Sequence, residues 1–309
     1  MIKKYLALVL AGALLAGALS ACGQKAAEST PTPTPVPTVE PTQAPEPSPT
    51  ADTLSGATTP AVPAPGADVE TVTSASVVPD EVMEDYTPKG FTDGEAKKAL
   101  FVVADPRYAT VTRVLGNTAM SHFEEKGVEV EVRDLYAMGF DPVLSAEEFY
   151  YAKDGAGEPT EAIKTEQEYV TKADYIIFVY PNWHDTPTAM AKGYMEKVFA
   201  KKFAYQDLPD GSLAGMLTGK GMYTIMNCGY LGGGRGWIGD GVGIEDEKWD
   251  RYMKAFQVFD DDTAAFWGVD NLGRFVNDRT PSNSSEQYAQ ELETLKETLV
   301  EHLDRVFFS

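Results

Sequence analysis

The chain has 309 residues, of which 43% are hydrophobic, and a formal net charge of −21 at pH 7. This length suffices for one domain of ordinary size and a long additional segment. The negative charge argues against nucleic-acid binding and against a protein that lies on anionic lipid, since both surfaces repel it. The sequence contains neither a P-loop nor a catalytic triad pattern.

The N-terminus has the features of an export signal. Lys3 and Lys4 precede a short apolar run, residues 5–19, and small residues follow it ahead of Cys22. The sequence Leu-Ser-Ala-Cys at 19–22 resembles a bacterial lipobox, whose cysteine becomes the lipidated first residue. Residues 1–22 are therefore expected to be a lipoprotein signal, and the protein to be extracytoplasmic and anchored to the cell membrane through Cys22. The alternative is a plain secretory signal with an incidental cysteine.

Residues 23–96 are expected to form a disordered tether. Between residues 28 and 66 the chain is mostly Pro, Thr, Ala and Ser, a composition that cannot bury enough apolar surface to fold. Within it, Asp-Thr-Leu-Ser-Gly-Ala-Thr at 52–58 resembles the motif at which an extracytosolic flavin transferase attaches FMN. The resemblance implies a phosphoester on the hydroxyl of Thr58. A weaker copy at 70–76 would place a second FMN on Ser76. The alternative is a chance match within a simple spacer.

Residues 97–309 alternate between apolar strand-like runs and helical patterns, which predicts a parallel sheet with helical crossovers. The last helix is expected at about 283–306, with a stripe of apolar side chains on one face. The strands are expected at residues 98–104, 128–132, 174–180, 220–227 and 263–269, and the other helices at 110–126, about 159–171, 187–202 and 249–258.

Two loops follow strands at the edge where open α/β sheets bind ligands. The first starts at Asp105 and feeds a helix through Thr110 and Thr112, so that free N–H groups and hydroxyls can receive a phosphate. Thr110 is equally well placed as an N-cap. The second loop, residues 181–186, carries Trp183, whose indole suits a flat stacking cofactor. An ordinary packing role for Trp183 is the alternative.

These segments resemble the flavodoxin-like NAD(P)H:quinone reductase family. That family has a P-x-W loop, a P-A-x-x-K-G helix start and a trailing F-A-Y, which correspond here to Pro181, Trp183, Pro187, Lys192, Gly193, Phe203, Ala204 and Tyr205. One extra residue separates Pro187 from Lys192. Residues 133–145 also resemble the family segment D-L-Y-x-x-x-F-D/N-P. The resemblance implies a flavodoxin-like, doubly wound five-stranded parallel sheet of order 2-1-3-4-5.

The resemblance also implies noncovalent FMN or FAD. Trp183 and His184 would bound the flavin ring within the loop that starts at Pro181 and Asn182, and His184 is the histidine placed nearest the chemistry. The glycine-rich segment after the fourth strand would line the ring's polar edge, although a flexible surface loop is the alternative. Its site residues would be Gly229, Gly232 and Gly233.

The other histidines and the second cysteine have no predicted chemical role. No metal site is expected, because the three histidines lack ligand spacing, and His122 and His302 are expected to face solvent. Cys228 is expected to be a small buried hydrophobe.

Three functions follow from these features. The first is a membrane-tethered flavoprotein oxidoreductase that passes electrons from membrane redox partners through flavin to quinone or another small acceptor. The second is an electron carrier that has no substrate of its own. The third is a flavin-free binding lipoprotein. Members of the family commonly pair as homodimers, which the sequence here does not decide.

Overall fold

The computed structural model of the chain describes residues 86–228, 247–278 and 288–309. Within these ranges the structure contains seven strands and six α-helices. In chain order they are β1 (Lys98–Val103), α1 (Val111–Glu125), β2 (Glu129–Asp134), α2 (Ala146–Phe149, continued by a π-helix at Tyr150–Asp154), α3 (Glu161–Lys172), β3 (Tyr175–Pro181), α4 (Ala189–Val198), β4 (Tyr205–Asp207), β5 (Leu213–Gly215), β6 (Gly221–Asn227), α5 (Glu247–Trp267), β7 (Asp270–Asn277) and α6 (Tyr288–Phe307). None of the described helices is long and apolar enough to cross a membrane.

Five of the strands form one parallel sheet in the order β2-β1-β3-β6-β7. This is the predicted flavodoxin-like order 2-1-3-4-5, which is thereby confirmed. The remaining strands, β4 and β5, pair with each other in a separate antiparallel hairpin, which lies in the sequence between α4 and β6. In β3 the ladder extends to Pro181, one residue beyond the predicted end. The amide of the next residue, Asn182, donates to the Asn227 carbonyl, so the missing N–H of Pro181 is not needed there.

The sheet lies between two helical layers. On one face the core is built from residues of α1 and α6, and on the other from residues of α3, α4 and α5. The central strands β1, β3 and β6 are buried almost throughout, as expected of parallel strands covered on both faces. The predicted apolar stripe of the last helix is confirmed as buried: Tyr288, Leu292, Leu295, Leu299 and Leu303.

The prediction of a fifth strand at residues 263–269 is wrong. Residues 263–267 are the last turn of α5, and the fifth strand of the sheet is β7. A short apolar run fits a buried strand and a buried helix equally well by periodicity. Ala264 and Trp267 are both buried at a helical spacing, and Gly268, with φ of 76°, receives the chain in the left-handed conformation that ends the helix. The amides of Gly268 and Val269 both donate to the Ala264 carbonyl.

Three further expectations differ from the structure: the solvent exposure of two histidines and the end of α4. His122 does not face solvent: it is 7% exposed, and its Nε2 lies 2.9 Å from Asp304 on α6. His302 is half-buried, with its ring against Phe275. Residues ahead of 97 contact the sheet, since the Gly90 amide donates to the Val130 carbonyl on β2 at 3.1 Å. α4 ends at Val198, four residues before its predicted end.

Candidate functional site

The loop after β1 is organised around a buried carboxylate. Asp105 is fully buried, and its Oδ1 accepts hydrogen bonds from the backbone N–H and the Nε of Arg107, both at 3.0 Å. Its Oδ2 accepts from Arg107 Nη2 and from Thr110 Oγ1, also at 3.0 Å. Four hydrogen bonds from three donor groups of Arg107 and one of Thr110 therefore hold this carboxylate in place.

Thr110 is the N-cap of α1, since its Oγ1 accepts a hydrogen bond from the Arg113 amide at 3.2 Å. This confirms the capping role that the sequence had left open. Because the same hydroxyl donates to Asp105, its hydrogen-bonding capacity is already largely used. The first N–H groups of a helix have no intrahelical partner. The backbone of α1, rather than the Thr110 hydroxyl, therefore supplies the main hydrogen-bond donors to a phosphate at this position.

Arg113, in the first turn of α1, binds the backbone of the loop between β1 and α1. Its Nη2 donates to the Asp105 carbonyl at 2.5 Å and its Nε to the Arg107 carbonyl at 3.2 Å. Its guanidinium also pairs with Asp134 at the end of β2. The loop between β1 and α1 is therefore held rigidly to the second strand.

The second loop, after β3, is a tight turn with one large exposed ring. Trp183 is 40% exposed, and its carbonyl accepts from the Thr186 amide at 3.3 Å. His184 and Asp185 have φ of 55° and 60°, a left-handed backbone conformation that residues other than glycine seldom adopt. Such backbone strain occurs at ligand sites, where the surrounding structure enforces it.

The two loops lie against each other. The guanidinium carbon of Arg107 lies 5.7 Å from the centre of the Trp183 ring. Thr188, the N-cap of α4, also donates its hydroxyl to the Ala104 carbonyl at 3.2 Å, which ties the second loop to the end of β1. The predicted phosphate loop and the predicted ring loop therefore form one continuous surface.

The ends of β6 and β7 add a third wall of amides. Asn277 Nδ2 donates to Asn227 Oδ1, and the Cys228 amide donates to the Asn277 carbonyl, both at 2.6 Å. The Asn182 amide donates to the Asn227 carbonyl at 2.8 Å, so β3 joins this wall. Burial, with a smaller contribution from the nearby charge of Asp278, raises the pKa of the Cys228 thiol, which is therefore protonated at neutral pH. Cys228 is only partly buried, less than predicted, and it packs against the core as a small hydrophobe.

Two buried polar atoms at this edge have no hydrogen-bond partner among the described residues. They are the Thr112 hydroxyl, which is fully buried, and the Oδ1 of Asn182, a residue that is 9% exposed. Buried polar atoms are nearly always bonded, so these two suit a polar ligand between the loops. Burial, with a smaller contribution from the negative charge of Asp105, raises the pKa of Tyr136.

A cavity of about 280 Å³ lies on the α4 and α5 side of the second loop. It is lined by Tyr180, Thr186, Pro187, Phe256 and Arg274, among others. The Arg274 guanidinium is fully engaged, because its Nε and Nη2 donate to the two carboxylate oxygens of Asp260 at 2.7 and 2.6 Å. The cavity wall is mostly apolar, and it also carries the charged side chains of Asp185 and Lys192.

The structure brings Asp105, Thr110 and Thr112 together with Pro181, Asn182, Trp183 and His184. The other predicted site residues, Gly229, Gly232, Gly233, Cys22, Thr58 and Ser76, lie outside the described residues. The sequence analysis did not identify Arg107 and Arg113 as site residues, although Arg107 lies only two residues after Asp105 in the same loop. Within the described residues, no group of three or more His, Cys, Asp or Glu side chains could hold a metal ion.

Comparison with known protein families matches residues 97–299 to a family described by its flavodoxin-like fold. The chain belongs to this flavodoxin-like family. The match covers all five strands of the parallel sheet and both loops of the site.

Individual relatives agree with this family. An uncharacterized NAD(P)H oxidoreductase of Haemophilus influenzae is 37% identical over 117 residues, which are 38% of this chain and 56% of that protein. NAD(P)H dehydrogenase [quinone] 1 of Cavia porcellus is 35% identical over 125 residues, or 35% of this chain and 45% of that protein. The chain thus spans about half the length of these curated relatives. The NAD(P)H:quinone oxidoreductase of Methanothermobacter marburgensis has the same fold, with a TM-score of 0.52 at 18% identity over 66% of this chain and 98% of that one.

The arrangement fits a flavin. A half-exposed indole offers a stacking surface, and the start of α1 offers backbone donors to a phosphate. The buried, unpartnered Thr112 and Asn182 atoms supply polar contacts between these two ends.

Proposed function

We propose that the chain is a flavin-dependent oxidoreductase of the NAD(P)H:quinone reductase type, with FMN or FAD bound noncovalently between the two loops. The observation that carries this proposal is the contact between Arg107 and Trp183, which joins a helix N-terminus to an exposed indole at the carboxyl edge of a flavodoxin-like sheet. The similarity to NAD(P)H dehydrogenase [quinone] 1 of Cavia porcellus supports the reaction class.

Within this proposal, each part of the site has a defined task. A bound flavin supplies the transfer of hydride or electrons. Trp183 covers the ring, the first turn of α1 with Thr112 holds the phosphate, and the Asn182 side chain accepts a hydrogen bond from a ring or ribityl donor. His184, on the strained turn beside Trp183, is the candidate proton donor to the reduced acceptor. The apolar cavity beside this turn can receive a flat acceptor such as a quinone.

The setting of the reaction is part of the same proposal. The lipobox-like sequence supports a lipid anchor on Cys22 and an extracytoplasmic location. The motif ending at Thr58, and its weaker copy at Ser76, support covalent FMN placed by a flavin transferase. Since NAD(P)H is expected to be scarce outside the cytoplasm, a tethered flavin would carry electrons from membrane redox partners to the folded domain.

The noncovalent site is tested with the full-length chain isolated from membranes. Protein stripped of flavin should recover yellow absorbance on addition of FMN or FAD, and should then reduce a benzoquinone when an electron donor is supplied. A folded protein that binds neither flavin would contradict the proposal and favour a flavin-free binding lipoprotein. Flavin binding without reduction of any quinone would favour an electron carrier.

The covalent site is tested by Thr58→Ala in chain co-expressed with a flavin transferase. The variant should lose one FMN from the intact mass and the corresponding in-gel fluorescence, while Ser76→Ala removes a second FMN only if the weaker motif is used. Wild-type protein that carries no acid-stable flavin would reduce the tether to a spacer.

A further inference from the structure

The cavity beside the second loop has a neighbour in the space between α4 and α5. Lys192 and Phe259 line both this inner cavity and an outer cavity of about 330 Å³, so the two follow one another along the same groove. On α5 the lining runs from Ala255 in the inner cavity to Trp267 in the outer one, a distance of about 18 Å at 1.5 Å per residue. The two cavities together are called the α4–α5 groove below.

The α4–α5 groove is larger than a quinone ring requires. The inner cavity alone has a volume of about 280 Å³. A protein cavity of about 150 Å³ is already large enough to bind benzene. A ring in the inner cavity therefore leaves the outer cavity for another part of the same ligand.

The outer cavity has aromatic walls. Its floor is formed by Trp267 and Phe199, which stack with ring centres 3.8 Å apart and are 4% and 3% exposed. At its rim Phe149 and Phe266 remain 39% and 37% exposed, and the Phe266 ring lies 4.1 Å from the ring of Tyr205. Exposed aromatic surface gathered around one concave site is typical of a place that an apolar ligand covers.

The cations at the inner end and the middle of the α4–α5 groove are ion-paired. Arg274 donates to both carboxylate oxygens of Asp260, and Lys192 lies 2.5 Å from Glu196. A carboxylate head group would have to compete with these acids for either cation. The groove therefore suits an aliphatic chain on an uncharged head better than it suits a fatty acid.

We propose that the α4–α5 groove binds a quinone that carries an aliphatic side chain, with the ring in the inner cavity and the chain in the outer cavity. The inference rests on the proposed oxidoreductase function and specifies its substrate further. The ring is assigned to the inner cavity because Asp185 and Thr186, from the turn that carries His184, line that cavity. Quinones with aliphatic chains partition into membranes, so this substrate agrees with the proposed lipid anchor on Cys22.

The experiment compares benzoquinones that differ only in a methyl, pentyl or decyl chain on the full-length chain isolated from membranes. Dissociation constants are measured by calorimetry and divided by the value for the methyl compound. Burial of one methylene strengthens binding by up to about fourfold, so the pentyl compound should bind at least about tenfold more tightly than the methyl compound. With an electron donor supplied, KM should fall by the same factor and kcat should stay the same, because the chain binds equally in the ground state and the transition state.

Two variants of α5 alter the outer cavity in different ways. Phe266→Gln removes an exposed aromatic wall, and Thr263→Trp fills the space that the chain would occupy. Each should lower the affinity advantage of the decyl over the methyl compound by about tenfold and leave the methyl compound unaffected. Val258→Gln is the matched control, because Val258 is a 59% exposed apolar residue on the same helix that lines neither cavity.

Equal affinity for the three quinones in a chain that still reduces them would overturn the inference and leave the proposed function intact. An unchanged decyl-to-methyl ratio in both folded variants would do the same, as would a change of oligomeric state in sedimentation without a change in that ratio, since the outer cavity would then face a second copy of the chain. Decanoate that binds as tightly as the decyl quinone would also overturn it, because the ring would not be recognised. If the protein neither binds nor reduces any of the three quinones, both the inference and the proposed function fail.

Discussion

Removal of the Trp183 ring is predicted to weaken flavin binding strongly. Trp183 is 40% exposed, and a tryptophan buries at most about 250 Å², so about 100 Å² of indole surface is available for a flavin ring to cover. At about 25 cal/mol per Å² this contact contributes about 2.5 kcal/mol, which corresponds to about a seventy-fold change in the dissociation constant. This value lies within the range of about 1–3 kcal/mol per base that is lost when an aromatic stacking partner is removed.

The assay is titration of riboflavin, which has no phosphate and so reports the ring contact alone. Trp183→Ala should raise the dissociation constant by between about ten-fold and a hundred-fold, and Trp183→Phe should recover much of the loss because it keeps a ring. Leu213→Ala, which truncates another exposed apolar side chain on the β4–β5 hairpin, should have no effect. An unchanged riboflavin affinity in folded Trp183→Ala protein would show that the indole only packs.

Three further predictions concern stability and anchoring. Gly193→Ala should lower stability by about 3 kcal/mol in thermal unfolding, because the added Cβ would lie 2.4 Å from both the Cβ and the carbonyl oxygen of Pro142; an unchanged melting temperature would show that this close approach is not required. Two hydrogen bonds from Thr92 lower the pKa of the Glu129 carboxyl from 4.5, so the attachment of residues 86–97 to β2 should persist at neutral pH and be lost only as the pH falls below that value. Hydrogen exchange of the Thr92 amide, measured at stepwise lower pH, tests this, and loss of protection already at pH 6 would contradict it. Cys22→Ser should release the protein from membranes or leave it unprocessed, and membrane retention of a correctly cleaved variant would refute the lipid anchor.

Local sequence patterns predicted most of the fold because burial on both faces of a parallel sheet leaves a readable signature. Apolar runs gave the positions of β1, β3 and β6, and helical periodicity gave the buried stripe of α6. The boundary between α5 and β7 was misplaced because residues 263–269 satisfy both patterns, and only the packing of Ala264 and Trp267 on the core decides between them.

Some features of the candidate site were also predictable from the sequence, and others depend on residues far apart in the chain. The sequence alone predicted which two loops meet, since parallel strands bring their carboxyl ends to one edge. It also predicted that Thr110 could be an N-cap. The burial of His122 was not predictable, because it depends on α6, which lies far along the chain and supplies Asp304.

The charge of the first loop was decided by tertiary structure alone. In the sequence, Asp105 and Arg107 are an acid and a base two residues apart, a spacing compatible with exposure of both to solvent. In the folded chain the same turn buries the carboxylate and aligns four donors on it, while Arg113 anchors the turn to Asp134 on the neighbouring strand. Hydrophobic periodicity is written along the chain, but the pairing of charges depends on backbone conformation and on residues that only folding brings together.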